Sequence, residues 1–306
     1  MRILVTGATG FVGRAVAHSL LTAGHNVVAF VRTPGKAKDL EAAGATLAAG
    51  DMLQPDTYRP LVGDVDAVVH TAQYGTSGRL TRAKLEQVKA ADETMTRALA
   101  QPCLEQHKRF VYTSGVFNYG DHGDAWITEA TPRTPSPLGE GHQKLTEYLL
   151  DLHERSGLDV VILAPGFVYG PGGLFKTSFY DTLQKGQLRV FGKGENYWSS
   201  VHVQDLARAY VQAVESDVSG EVVNVVDDEP LKLRELVDAF TDAAGKPRVG
   251  TVPPWVLKLI IGGPLVESLT TSFRVENEKA GRVLGWTPQF RSFKDGIPQV
   301  LEQLGR

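Results

Sequence analysis

The nine residues VTGATGFVG, 5–13, constrain this chain of 306 residues more than any other stretch. They set Gly7, Gly10 and Gly13 between an apolar N-terminal run and an amphipathic one. A first glycine permits a tight strand-to-helix turn, a second lets backbone approach a pyrophosphate, and a third lets the helix lie close on the sheet. Free N–H groups at the helix start then face the anion. Three spaced glycines alone say little, but here a strand precedes them and a helix follows, which is the context the device requires. With Thr9, Phe11 and Val12 completing the turn, the stretch reads as a dinucleotide phosphate cradle.

The remaining pattern agrees. Apolar, β-branched runs at 2–6, 26–31, 45–50, 67–71, 109–114 and 159–165 alternate with helical patterns that start near Phe11, Pro34, Asp56, Arg79 and Pro137. Such alternation predicts an α/β chain with a doubly wound (Rossmann) parallel sheet covered on both faces. Pro102 falls inside the fourth helical pattern and is expected to end or kink it near Gln101. After about residue 166 the texture changes to the glycine-rich GFVYGPGG, 166–173, then mostly helix and loop with one more strand at 222–226. The reading is a dinucleotide-binding domain over 1–165, rejoined by 198–228. A smaller, mostly helical substrate-binding lobe comprises 166–197 and 229–306.

The second strand ends in Val31 and Arg32, with Lys36 and Lys38 following. A carboxylate at this place would bind a ribose 2′-OH, whereas an arginine can pair with a 2′-phosphate. Arg32 and Lys36 therefore favour NADP(H) over NAD(H). A net charge of −3 gives no reason to expect nucleic acid or an anionic membrane as partner. The run WVLKLIIGG, 255–263, is interrupted by Lys258 and too short to span a bilayer, so it reads as a buried helix or pocket wall. One cysteine, Cys103, and no signal-peptide pattern point to a reducing, cytoplasmic setting.

Several motifs in a familiar order carry a resemblance: TGATGFVG, GD at 50–51, VVHTA at 68–72, RFVYTSG at 109–115, Lys144, APGFVYGPGG at 164–173 and VHVQDLARA at 201–209. Over essentially its whole length the chain resembles the extended short-chain dehydrogenases/reductases, the group of NAD(P)-dependent epimerases, dehydratases and dihydroflavonol-type reductases. The resemblance implies that Asp51 and Met52 meet the adenine and that Thr71, Ala72 and Gln73 line the cofactor. It also implies that Thr113 and residues 165–168, with Pro165, Gly166 and Val168, border the nicotinamide. Asp205 reads as a helix N-cap and His202 as a packed histidine beside the cleft. Relatives often dimerise through the helices that here start near Arg79 and Pro137, so a homodimer is an expectation.

The departures fall on the proton-transfer machinery. The family uses a Ser or Thr, a Tyr, and a Lys four residues after the Tyr, and that Lys also holds the nicotinamide ribose, so the resemblance implies Lys144 as a cofactor contact too. Here Lys144 is kept, Glu140 stands at the Tyr position, Gly115 at the Ser/Thr position and Ala91 at the supporting Asn. Ser114, one residue earlier, should point to the other side of its strand. Glu140 and Lys144 could form a plain helical ion pair. Alternatively Glu140 faces the cleft beside Lys144, ionised, and acts as a base; an ionised carboxylate has no proton to give. The second arrangement, with Glu140 in the cleft, is the expectation. Tyr148, Tyr119, Tyr169, His142 and Tyr74 are further proton-donor candidates.

For the substrate, Trp198, Tyr197, Phe175, Phe179, Trp255 and Trp286 are candidate walls and Arg274 a candidate anion contact, with no basic cluster suited to a diphosphate. A small hydroxy or carbonyl compound is the expected substrate. Three functions stay open: an NADP(H)-dependent oxidoreductase or epimerase with an atypical active site, a base-catalysed isomerase or lyase on the same scaffold, and a non-catalytic dinucleotide-sensing protein.

Overall fold

A computed structural model describes residues 1–75 and 77–305. Its centre is a seven-stranded sheet of β1 (Arg2–Thr6), β2 (Asn26–Val31), β3 (Thr46–Ala49), β4 (Ala67–His70), β5 (Arg109–Thr113), β6 (Val160–Pro165) and β7 (Glu221–Val225). The order across the sheet is β7-β6-β5-β4-β1-β2-β3, and every pairing is parallel. Strand order therefore reverses between β1 and β4, the switch point where such sheets open a crevice at the carboxyl ends of their strands.

The near-continuous apolar strands follow from burial on both faces. Ile3, Val5, Ala29, Val111 and Leu163 pack on one side against α1 (Phe11–Thr22). Leu4, Val28, Phe110 and Ile162 pack on the other, against Leu99, Cys103, Leu145 and Leu149. Those last four come from α2 (Arg82–Glu105) and α3 (Gly139–Ser156). Alternation of side chains along each strand deals the two sets to opposite faces. After β6 the chain supplies α4 (Val203–Glu215), which packs on α1, and α5 (Leu233–Ala243). The chain closes with α6 (Pro254–Ile260), α7 (Gly263–Leu269) and α8 (Phe293–Gln303). A separate core of Phe175, Phe179, Leu236, Phe240, Ile297 and Leu301 holds the lobe beyond the sheet.

Four local expectations change. The helix near Asp56 is two 3-10 turns, Pro55–Thr57 and Arg59–Asp64, because Pro55, Pro60 and Gly63 interrupt any longer ladder. Pro102 does not end its helix: α2 runs on to Glu105, and burial of the proline ring beside Cys103 outweighs one lost N–H. Asp205 is not the N-cap of α4; His202 is, its ring nitrogen accepting from the N–H of Gln204. Asp205 instead lies buried in the first turn, bonded to Arg208 and to the N–H groups of Gln289 and Phe290. The 255–263 run is no pocket wall, since Trp255, Leu259 and Ile260 of α6 face solvent. Among the described residues no helix is long and apolar enough to cross a membrane.

Candidate active site

A cavity of about 870 Å³ opens at the switch point. The turn after β1 forms its floor. Gly7 has φ +72°, and a Cβ there would come 2.7 Å from the backbone N of Ala72. At Gly13 a Cβ would come 2.2 Å from the carbonyl oxygen of Gly7, so α1 reaches the sheet only as glycine. The helix starts at Gly10 without a side-chain cap, which leaves first-turn N–H groups turned to the cavity. The local conditions for a phosphate cradle are all present.

Along the cavity from this turn lie Thr9, Gly10, Phe11 and Val12 of the cradle, then Arg32, Lys36, Asp51 and Met52 on the β2–β3 side. Thr71, Ala72 and Gln73 follow at the end of β4, then Thr113, and then Pro165, Gly166 and Val168 at the end of β6. The structure thus brings every residue of the expected dinucleotide set except Lys144 to one cleft. The nearest carboxylate to Arg32 in sequence beyond the strand, Asp39, is turned elsewhere. It pairs with Arg14 and with His18, and the Arg14 hydrogen bond holds it down to about 2.

Glu140 and Lys144 stand outside. Neither lines the cavity, and they do not pair with each other. Glu140 accepts from Lys89, and Lys144 donates to Glu93 at 2.7 Å; both partners belong to α2. The expectation that Glu140 faces the cleft is corrected by helix geometry. The face of α3 turned inward carries Leu138, just before its first turn, with Gly141 and His142, and positions 140 and 144 lie off that face.

Gly115 does line the cavity, in an extended conformation, and its Cβ direction is open, with Pro165 oxygen at 3.9 Å as the nearest atom. The Thr113 hydroxyl turns into the sheet, donating to His70 oxygen at 2.8 Å and meeting the phenol of Tyr210 at 2.5 Å. Ser114 is buried in a cluster with Thr146 and Asn118. The other donor candidates divide. Tyr119 bonds Asn224 and Tyr169 bonds the Ser292 carbonyl, both in the interior. Tyr148 lies under the Arg97 guanidinium. Tyr74 and His142 reach the cavity.

His142 has Nδ1 3.2 Å from the Tyr112 hydroxyl and Nε2 3.4 Å from the Gln73 amide. Burial lowers its pKa to about 4, so the ring is neutral at physiological pH. Asp92 of α2 also lines the cavity, with Oδ1 fixed by the Tyr74 N–H at 2.7 Å. Burial raises its pKa to about 6, against that hydrogen bond. Asp92 and the stripe Leu85, Val88, Lys89, Asp92 and Met95 were not singled out in the sequence. Their spacing along α2 was the available signal.

Of the candidate aromatic walls only Trp198 lines the cavity, joined by Phe117, Phe167 and Phe273. Phe175 and Phe179 fill the lobe core. Trp286 is buried with its indole N–H on the Asp205 carbonyl. Tyr197 holds Arg274, which stacks between it and Trp126 outside the cavity. His202 is packed between the rings of Tyr169 and Phe290, as expected, with a pKa lowered by burial to about 4.

A doubly wound sheet with a glycine cradle and an adjoining lobe-capped cavity defines a dinucleotide-dependent oxidoreductase or epimerase. The chain belongs to the NAD dependent epimerase/dehydratase family, whose model matches residues 3–226. The cofactor is accordingly a nicotinamide dinucleotide. A 3-diazoavenalumate denitrifying reductase of Streptomyces is 28% identical, over 97% of this chain and 99% of that protein. Two solved structures share the fold over 99% of this chain. One is the dTDP-glucose 4,6-dehydratase DesIV of Streptomyces venezuelae with NAD bound (TM-score 0.84, 23% identity, 96% of that chain). The other is the human epimerase family protein SDR39U1 with NADPH (TM-score 0.81, 22% identity, 100% of that chain).

Proposed function

We propose that this protein is an NADP(H)-preferring oxidoreductase that interconverts a carbonyl and a hydroxyl group on a small molecule, with Asp92 exchanging the proton. Residues 1–165 and 198–228 hold the dinucleotide, and 166–197 with 229–306 close the substrate side. The cradle of Gly7, Gly10 and Gly13 receives the pyrophosphate, Arg32 and Lys36 the 2′-phosphate, and Asp51 and Met52 the adenine. Thr71, Ala72, Gln73 and Thr113, with Pro165, Gly166 and Val168, line the nicotinamide side. Bound there, the cofactor supplies or accepts a hydride.

The observation that carries the proton assignment is the placing of Asp92. It is a carboxyl on the cavity wall, anchored through one oxygen by a backbone N–H and raised by burial to about 6. General acid–base groups work best when their pKa lies near the working pH. In reduction Asp92 gives its proton to the developing alkoxide, and in oxidation it takes the hydroxyl proton. Neutral His142, held by Gln73 and Tyr112, positions the substrate oxygen. Glu140 and Lys144 take no part.

Titration of NADPH oxidation against a panel of ketones and aldehydes, with wild type and Asp92→Asn, tests the reading. Loss of turnover in the variant with NADPH affinity intact supports it. Undiminished turnover in Asp92→Asn removes the assignment. Conversion of substrate with no net cofactor oxidation would instead favour an isomerase or lyase.

A further inference from the structure

Three cations line the cavity among the described residues: Arg32, Lys36 and Lys89. The first two belong to the β2–β3 side, beside Asp51 and Met52. Lys89 alone lies on the α2–α3 wall, and its ammonium is taken up by two carboxylates. Its stem passes over Gly141, where a Cβ would come 3.1 Å from Lys89 Cγ. Its ammonium pairs with Glu86 at 2.8 Å and with Glu140. Both carboxylates belong to exposed residues. Lysine commonly presents methylenes to an apolar surface while its charge stays in a polar one. Two carboxylates on one ammonium, with Asp92 on the same wall, leave this end of the cavity without surplus positive charge.

Much of the remaining wall is apolar, made by Leu85, Val88, Phe117, Leu138, Trp198 and Phe273, with Ser114, Ser199 and neutral His142 as its polar breaks. Phe117 and Phe273 meet edge to face with centroids 4.8 Å apart, which gives a fixed aromatic corner. Arg274 donates to the Asp124 carbonyl and does not reach the cavity.

We infer that the substrate is an uncharged compound with an apolar or aromatic body bearing the carbonyl or hydroxyl group, and that nucleotide diphosphate sugars and free carboxylic acids are rejected. This rests on the oxidoreductase reading above. A diphosphate or carboxylate entering here would lose water and find no unpaired cation, and the like charge of Glu86 and Glu140 would oppose it. An apolar body gains contact along the whole wall. Glu140, set at the position where the family keeps a tyrosine, thereby tunes charge selectivity from outside the cavity.

The test uses the NADP⁺-loaded protein and a matched series carrying one medium-chain or aryl tail: a 3-oxo methyl ester, the corresponding methyl ketone and the 3-oxo free acid. UDP-glucose and dTDP-glucose complete the panel. Calorimetric binding is read for each, with kcat/KM for the carbonyl compounds with NADPH and for the two sugars with NADP⁺. The ester and ketone should exceed the acid by about tenfold or more, with no binding of either nucleotide sugar. Glu140→Gln, which releases one partner of Lys89, should narrow the acid–ester gap by about threefold. Equal or better binding of the acid, binding of either sugar, or no binding by any member overturns the substrate class. Binding of the ester without turnover leaves the class standing and sinks the oxidoreductase reading. Acid turnover with NADPH, or sugar oxidation with NADP⁺, does the reverse.

Discussion

Lys144 Nζ lies 2.7 Å from Glu93 Oε2, an ion pair that ties α3 to α2 on the outside of the cleft. The lysine side chain is 64% exposed, so the pair contributes on the order of 0–1 kcal/mol. Lys144→Ala should therefore leave NADPH affinity and turnover within about twofold of wild type. Glu140→Tyr should create no new ketone reductase activity, with or without Gly115→Ser, because position 140 faces Lys89. Steady-state kinetics on the variants measures this, and a collapse of NADPH binding in Lys144→Ala would overturn it.

Asp92→Asn should lower kcat by about 10²–10⁴ while the KM for NADPH changes little. In wild type the protonated carboxyl becomes scarcer as pH rises through about 6, so reduction should slow above that value and oxidation should quicken. A pH–rate series in both directions measures it. The variant should lose that limb of both profiles.

The same carboxyl affects stability. Between about pH 4 and about 6 the folded protein retains a proton that the unfolded chain has released. Stability contributed by Asp92 is present below that window and lost as pH rises through it, on the order of 2 kcal/mol. Asp92→Asn should thus raise the melting temperature at pH 7.5 by a few degrees and leave it unchanged near pH 4. Calorimetric melts at the two pH values measure the difference.

Arg32→Ala should weaken NADPH by about 1.5–3 kcal/mol and NADH little, since the lost contact is charge-assisted and specific to the 2′-phosphate. Titration calorimetry with both cofactors measures the ratio. Equal wild-type affinities would remove the basis of the expectation.

Gly13→Ala and Gly115→Ala should diverge. At Gly13 the added methyl meets backbone oxygen at 2.2 Å, so α1 must shift from the sheet and the cradle opens. Overpacking of that kind costs about 1–3 kcal/mol, with dinucleotide binding lost alongside. At Gly115 the methyl meets open space, and folding should be unaffected. Melting curves and NADPH titration on the two variants test the contrast.

The sheet was legible because two properties coincide in it, unbroken apolar strands and glycines where backbone must approach backbone. Gly7 and Gly13 are required by contacts a few residues away, and a local pattern can report a local contact. For Glu140, motif spacing assigns only a sequence position, while the start of α3 at Gly139 decides which residues face inward. The motif marks Ala91 and not its neighbour Asp92 for the same reason, as one residue along a helix turns a side chain by about 100°. The aromatics failed more broadly. Nothing in Phe175 or Trp286 distinguishes a ring in a core from a ring on a cavity, and that difference is set by elements distant in sequence.

The clasp at Asp205 bears on how the cleft admits its contents. Its carboxylate holds the N–H groups of Gln289 and Phe290 at 3.0 and 2.9 Å, and its carbonyl holds the indole of Trp286. The segment leading into α8 is thereby pinned to α4, which itself lies on α1. With the chain also crossing back to the sheet at β7, the jaws of the cleft are bolted together at several points rather than joined by one strap. A swinging, clam-like opening would break these buried bonds together. Traffic of substrate and product then falls to the rim, through short displacements of exposed segments such as α6, while the floor that orients the reactants stays still.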